Sequence, residues 1–138
     1  MRRPRQTGFM LIEVLISVLI FSVGVVALVA LQAAMTRAQT EAKARTDASY
    51  LATELVGLMW SDVNNLSAYT TANCASNTQC NMWLAKVQQT LPTNNTAPVV
   101  TVDTGASSAT LGDVSITITW QSPGGDTHRY VMSTSIKS

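Results

Sequence analysis

One carboxylate stands out among the residues that could do chemistry, because it lies in an apolar segment. Glu13 is the one charged residue between Phe9 and Thr36, and the run from Phe9 to Leu31 is otherwise almost entirely apolar. An ionisable group in a membrane helix costs about 2.5–3.5 kcal/mol at the bilayer centre for Asp, and less near a helix end. A compensating charge for Glu13 is therefore expected.

Two cysteines and a single histidine are the other candidates. Five residues separate Cys74 from Cys80, and His128 lies far along the chain. This set is too small for a zinc site, which usually needs four ligands. If this part of the chain lies in an oxidising compartment outside the cytoplasm, the two cysteines are expected to form a disulfide, and two free thiols are the alternative. No Ser/His/Asp set, paired-carboxylate cleft or phosphate loop is apparent, so we predict no enzyme, no metal and no other cofactor.

The apolar run is long enough to cross a membrane. Its 23 residues, Phe9 to Leu31, correspond to about 34 Å of helix, against about 30 Å for a bilayer core. Three arginines in the preceding octapeptide predict that this flank stays in the cytoplasm, which leaves the rest of the chain in the periplasm of a bacterial host. A cleaved secretory signal fits poorly, because its apolar stretch would be shorter and would end in an A-x-A-like site. A plain single-span anchor leaves Glu13 unexplained.

The charge balance gives no argument for a nucleic-acid partner. Nine basic and eight acidic residues give a net charge of +1. Without residues 1–8, which hold three of the arginines, six basic and eight acidic residues leave −2. No basic patch survives in the remainder, so no nucleic acid is predicted among the partners.

Beyond Leu31 the pattern becomes amphipathic. Apolar residues recur at spacings of three and four, and charged residues fill much of the other faces. The helix is therefore expected to continue to about residue 62, with residues 9–36 in the membrane and 37–62 burying one stripe against a head domain. A coiled coil is the alternative, although alanines make a weak seam. The stripe comprises Ala34, Ala38, Ala42, Arg45, Ala48, Ala52, Leu55 and Met59.

The remaining residues predict a small head domain over 37–138. Residues 63–80, rich in Asn, Ser, Thr and Ala, are expected to form a loop that holds the cysteines. A short helix is predicted over 81–91, and a meander of three or four antiparallel strands over 97–137. The fold class is thus α+β: a long N-terminal helix, transmembrane in its first half and amphipathic in its second, packed on a small antiparallel sheet.

The aromatic residues and the histidine are given structural roles. Trp60, Trp83 and Trp120 are expected in the core of the head domain, where they bury large apolar surfaces, rather than in a ligand cage. His128 follows turn-forming residues and is expected to be solvated.

The N-terminal arrangement resembles the signal of type IV pilins and pseudopilins. The residues that carry it are the arginine-rich leader, Gly8-Phe9-Met10-Leu11-Ile12-Glu13 and the long apolar helix that follows. The resemblance implies that a prepilin peptidase cuts between Gly8 and Phe9, removes residues 1–8 and methylates the new amino terminus of Phe9. Glycine suits such a cut because it adds no side-chain bulk. The family more often has Thr at the position of Met10.

The resemblance also supplies the partner that Glu13 needs. Cleavage creates an ammonium group on Phe9, four residues before Glu13 on the same helical face, and a carboxylate in a first turn is favoured by the helix dipole. In the family's filaments, Glu13 of one subunit would meet the Phe9 amine of a neighbour. This pairing would set the register of assembly, because each charge removes the cost of the other in a low-dielectric surrounding.

Further segments resemble minor pilins of the PilV type, also called type IV pilus modification proteins. These are Arg45 to Leu55 and the block of cysteines, short helix and proline. Major pilins commonly carry proline where this chain has Ala30, and often close a disulfide near the C-terminus. The resemblance implies a priming or tip subunit that is needed for pilus assembly, with roles in twitching motility or adhesion.

Partners and location follow from the same resemblance. The implied partners are the prepilin peptidase, other minor and major pilins contacted through the N-terminal helix, the inner-membrane assembly platform, and the lipid bilayer before assembly. The implied location is the inner membrane, single-pass with the N-terminus cytoplasmic, and then the pilus, at its tip. A minor pseudopilin of a type II secretion system is the alternative within the family. A membrane-anchored periplasmic binding module is a more distant one.

Overall fold

The structure is a computed structural model that describes residues 8–104 and 112–137. The predicted leader, apart from Gly8, lies outside the described residues, as does a stretch of the predicted meander, 105–111. The chain divides into two compact units, residues 1–40 and 41–138. Each unit is described by itself below.

A single α-helix, α1, runs through both units from Gly8 to Ser61, 54 residues in all. Proline does not occur within it, and most of its hydroxyl side chains donate to the carbonyl four residues earlier, so they are satisfied within the helix. In the first unit, Ser17 Oγ donates to the carbonyl of Glu13 at 2.8 Å, and Ser22 Oγ donates to that of Val18 at 2.7 Å. These bonds satisfy polar groups within an apolar segment. The predicted long helix is confirmed.

In the second unit, α1 buries one stripe in the core of the head. Its buried residues recur at spacings of three and four, as the sequence pattern predicts. They are Ala48, Leu51, Ala52, Leu55, Val56 and Met59. Burial begins with the half-buried Ala44, whereas Ala38 and Ala42 are exposed. The predicted stripe therefore starts too early, since the first of its alanines are exposed.

Three antiparallel strands form a sheet in the order β1-β2-β3. They span Val99–Asp103 (β1), Gly112–Gln121 (β2) and Thr127–Ile136 (β3). In β2, every second side chain is buried from Val114 to Trp120, so that one face of the sheet meets the core and the other is wet. The predicted α+β class, a long helix with a small antiparallel sheet, is confirmed.

The predicted loop over 63–80 is wrong in large part. It contains two 3₁₀ helices, Val63–Tyr69 and Cys74–Ser76, and the short helix α2 begins within it, spanning Thr78–Thr90 rather than 81–91. The Asn77 side chain accepts hydrogen bonds from the backbone N–H groups of Gln79 and Cys80, and this cap starts the helix early.

The short helix ends where a proline requires it. Leu91 has an extended backbone and is followed by Pro92, which disfavours the helical conformation in the preceding residue. On its buried face, Trp83 Nε1 donates to the Leu51 carbonyl of α1 at 2.8 Å. This bond satisfies the indole N–H and fixes α2 against α1 in the second unit.

Two predictions about aromatic side chains are wrong. Trp83 and Trp120 are buried, but Trp60 is 48% exposed, because it follows the buried Met59 and lies off the buried stripe of α1. His128 is half-buried rather than solvated. It lies opposite Trp120 in the β2–β3 ladder, and the two rings stack with centroids 5.8 Å apart.

Candidate functional site

The residues of the predicted processing site lie at the beginning of the described part of α1. Gly8 is its first residue, and the Phe9 side chain is 79% exposed. Glu13 follows Phe9 by four positions, slightly more than one helical turn, and is also exposed. Within the described residues no ion pair reaches the Glu13 carboxylate. The helix thus places Phe9 and Glu13 on one face, with both side chains accessible.

The surroundings of these residues suit a membrane. The helix contains an 18-residue window with a mean hydropathy of 3.0, and none of that window is buried. A helix from the core of a soluble protein would be mostly buried. By length and composition the segment can cross a bilayer, as a signal sequence also can.

The predicted disulfide is present in the second unit. Cys74 lies in the second 3₁₀ helix and Cys80 in the first turns of α2, and their Cα atoms are 5.0 Å apart. Both residues are buried. The bridge therefore ties the irregular segment after α1 to the helix that packs on it.

A buried tyrosine organises the same region. The Tyr69 hydroxyl donates to Gln79 Oε1 at 3.0 Å and lies 3.4 Å from Asp62 Oδ2, while Asp62 Oδ1 accepts from Asn65 Nδ2. Burial raises the pKa of the Tyr69 hydroxyl above its usual 10.0, and the Asp62 carboxylate raises it further. The neutral hydroxyl is thus the form that holds this segment together.

A charged contact on the surface links α1 to α2. Lys86 Nζ lies 2.8 Å from both carboxylate oxygens of Glu54 and 5.3 Å from the centre of the Tyr50 ring. The hydrogen bond to Glu54 raises the pKa of Lys86. Because the side chains are partly solvated, we assign this contact a supporting role in packing rather than a chemical one.

Candidate metal ligands were sought among the described residues of the second unit. Within 8–104 and 112–137, no group of three His, Cys, Asp or Glu side chains could hold a metal ion. His128 Nε2 and Trp120 Nε1 are buried without hydrogen-bond partners among the described residues. What the described part of the second unit presents is a packed head stapled by a disulfide.

Sequence reasoning missed the contacts that hold the segment between α1 and the sheet. Thr71 forms two hydrogen bonds with the backbone of Val100 in β1. Its N–H donates to the Val100 carbonyl at 3.0 Å, and its Oγ1 accepts from the Val100 N–H at 2.7 Å. Nothing in the sequence pattern marks Thr71 for this role. Asn77 could have been recognised, because asparagine is a favoured helix N-cap.

Comparison with known proteins gives one finding, at the N-terminus. Residues 3–29 match a family model described as the prokaryotic N-terminal methylation motif. The match covers 27 of 138 residues and includes Gly8, Phe9 and Glu13. Neither the curated proteins nor the solved structures include a significant match to the chain. The chain therefore carries a prepilin-type signal, of the kind that begins type IV pilins and pseudopilins.

Proposed function

We propose that the chain is a minor subunit of a type IV pilus, made as a precursor and used in priming or at the tip of the filament. The observation that carries this proposal is the methylation motif over residues 3–29, together with the helix that begins at Gly8 and has an apolar window in which no residue is buried. A long apolar surface that its own chain does not cover requires another apolar environment. A bilayer before assembly and neighbouring subunits after it would supply that environment.

Processing is assigned to the junction between Gly8 and Phe9. A prepilin peptidase removes residues 1–8, and the new amino terminus of Phe9 is methylated. The subunit then sits in the inner membrane with its N-terminus cytoplasmic and its head periplasmic, until the assembly platform adds it to the filament. In this account the chain is a structural subunit and not an enzyme.

Glu13 has the assembly role in this proposal. Its carboxylate is exposed and without an ion pair among the described residues, and it lies in the segment that would be buried among neighbouring helices. The Phe9 ammonium of a neighbouring subunit would neutralise it there. Other minor and major pilins would therefore be recognised through the N-terminal helix, with this charge pair setting the register.

Replacement of the carboxylate tests the assembly role. Glu13→Leu should strongly reduce incorporation into filaments, measured as the fraction of the chain in sheared pili, because the neighbouring ammonium would be left unpaired. Ser17→Ala is the matched control, since it removes a polar group one turn along without removing a charge, and it should assemble normally. A plain membrane anchor would tolerate both changes equally, and equal incorporation of the two variants would contradict the proposal.

A type II pseudopilus is the second candidate, because its minor subunits share the leader and the helix. The resemblance to PilV-type proteins favours the pilus subunit, over Arg45 to Leu55 and over the block of cysteines, short helix and proline. Deletion of the gene separates the two candidates. Loss of surface pili and twitching supports the pilus, whereas loss of secreted enzymes with normal pili supports the pseudopilus.

A further inference from the structure

The disulfide of the second unit is enclosed by the head that it stabilises. Cys74 is 4% exposed and Cys80 is 0% exposed, and both belong to the hydrophobic core. Cys80 Sγ lies 3.8 Å from the carbonyl oxygen of Tyr69, which is itself fully buried. In the packed head the two cysteines therefore present almost no surface to solvent.

This enclosure limits the chemistry of the bridge. Thiol–disulfide exchange needs direct attack of a thiolate on a sulfur atom, and it passes through a mixed disulfide in which a foreign thiol is bonded to one cysteine of the pair. Such an adduct adds a group to a sulfur that the core surrounds, and a protein interior at native packing density has no space for it. An external reagent can therefore neither form nor reduce the bridge while the head stays packed.

The segment that carries the bridge is anchored on both sides. Three residues before Cys74, Thr71 is hydrogen-bonded to Val100 of β1. Three residues after Cys80, the Trp83 indole donates to a backbone carbonyl of α1. Exposing either sulfur thus disturbs contacts with the sheet or with the long helix.

The unfolded chain has no such obstacle. The two cysteines have a sequence separation of 6, and short loops close rapidly in a flexible chain. The chain contains two cysteines in all, so one pairing alone is possible within it and no native contact is needed to select that pairing.

We propose that the Cys74–Cys80 bridge forms on the unfolded chain, before the head packs, and that folding then protects it from external thiols. The oxidant is a disulfide, of a protein or of a small molecule, in a compartment outside the cytoplasm. One cysteine thiolate attacks this disulfide and is left in a mixed disulfide, and the thiolate of the other cysteine then displaces the foreign sulfur. Two electrons pass to the oxidant, which is reduced to two thiols that take up the two protons.

This order of events goes beyond the proposed filament function. It rests on that function only for the compartment in which the head is oxidised. The experiments below use the purified chain, so their failure would overturn the order of oxidation and folding and would leave the filament proposal untouched.

The rate of reduction tests the protection of the bridge in the full-length chain in detergent micelles. Dithiothreitol should reduce the bridge at least about a hundredfold more slowly in the native chain than in the same chain unfolded in urea, with free thiols counted by alkylation and mass. Reduction of glutathione disulfide under both conditions is the control for any effect of urea on the chemistry itself. Equal rates for the native and the unfolded chain would overturn the proposal.

Two matched variants show whether packing controls this rate. Thr71→Val removes the hydroxyl that holds the segment before Cys74 to β1, and its bridge should be reduced about 5–30-fold faster than that of the native chain. Thr101→Val, at an exposed position of the same strand, should be reduced at close to the native rate. A native rate in the Thr71 variant would contradict control by packing.

Oxidation of the reduced chain tests the order directly. A reduced chain that has been refolded should react with glutathione disulfide at least about a hundredfold more slowly than the reduced chain kept in urea. A reduced chain that stays unpacked until it is oxidised, as followed by tryptophan fluorescence, would also support the order, because the bridge then precedes packing. A packed reduced chain that forms the bridge as fast as the unfolded one would overturn it.

Discussion

Apolar residues differ in burial between the two units of this chain. Leu28, in the first unit, is 61% exposed, and the large apolar residues around it are exposed as well. Leu55, in the second unit, lies on the same helix but is fully buried in a core with side chains of α2 and the sheet. Hydrophobic composition alone therefore does not make a core. The exposed apolar helix of the first unit is long enough to cross a bilayer, whereas the apolar residues of the second unit form a core of their own.

The largest effect should come from replacing a buried leucine of the second unit by alanine, with an exposed leucine of the first unit as the control. Leu55→Ala removes a fully buried side chain and leaves a cavity, so the free energy of unfolding of the head should fall by about 2–5 kcal/mol. Leu28→Ala is the matched control and should leave it unchanged. Denaturant unfolding of the full-length chain in micelles, followed by fluorescence of the buried Trp83 and Trp120, measures both. Equal losses would contradict the division into two units.

Loss of the disulfide should have the next largest effect. Replacing Cys74 and Cys80 with serine opens a loop with a sequence separation of 6, and the stability of the head should fall by about 2 kcal/mol. The same denaturant titration measures the loss, and reduction of the native chain should reproduce it. A reduced chain as stable as the oxidised one would mean that the bridge adds nothing to the packing of α2.

A smaller loss of stability is expected when the hydrogen bond between Thr71 and Val100 of β1 is removed. Thr71→Val removes the hydroxyl that accepts from the Val100 N–H and leaves that donor unsatisfied, at a cost of about 1–2 kcal/mol. Thr101→Val, at an exposed neighbouring position of the strand, is the control and should cost much less. Amide exchange at Val100 should accelerate only in the Thr71 variant. Unchanged exchange at Val100 would show that the Thr71 hydroxyl is dispensable for this strand.

The smallest effect concerns the ionisation of Tyr69. Its pKa is raised above 10.0 in the folded chain, so the folded state holds this proton more tightly than the unfolded state does. The resulting stabilisation is complete below the unfolded pKa and is lost as the pH rises through the folded one. Unfolding midpoints should therefore fall more steeply in alkaline solution for the native chain than for Tyr69→Phe. Identical slopes would contradict the assigned pKa shift.

The comparison of the two units also shows what a sequence can predict. The uniform apolar run predicted a helix by its length, and the alternation from Val114 to Trp120 predicted a strand by its period of two; both elements are present. Residues 63–80 have no periodicity. The Asn77 cap there is local, whereas the hydrogen bond from the Tyr69 hydroxyl to Gln79 joins residues whose proximity only the fold creates.

The N-terminal motif could be recognised for a different reason. Gly8, Phe9 and Glu13 are defined by a local spacing within residues 3–29, which match the prokaryotic N-terminal methylation motif, and this spacing can be read without tertiary contacts. Trp60 and His128 were assigned wrongly because burial depends on what packs against a residue. The position of β3 at an edge of the sheet likewise follows from strand order, which the hydrophobic pattern does not contain.

In the proposed function, proteolysis creates the cation that pairs with Glu13. The mass of the N-terminal peptide tests this step, in the chain purified from cells with an active prepilin peptidase. We expect a chain that begins with N-methylphenylalanine at position 9. A chain that still carries residues 1–8 in those cells, or one cut near Ala33, would contradict it.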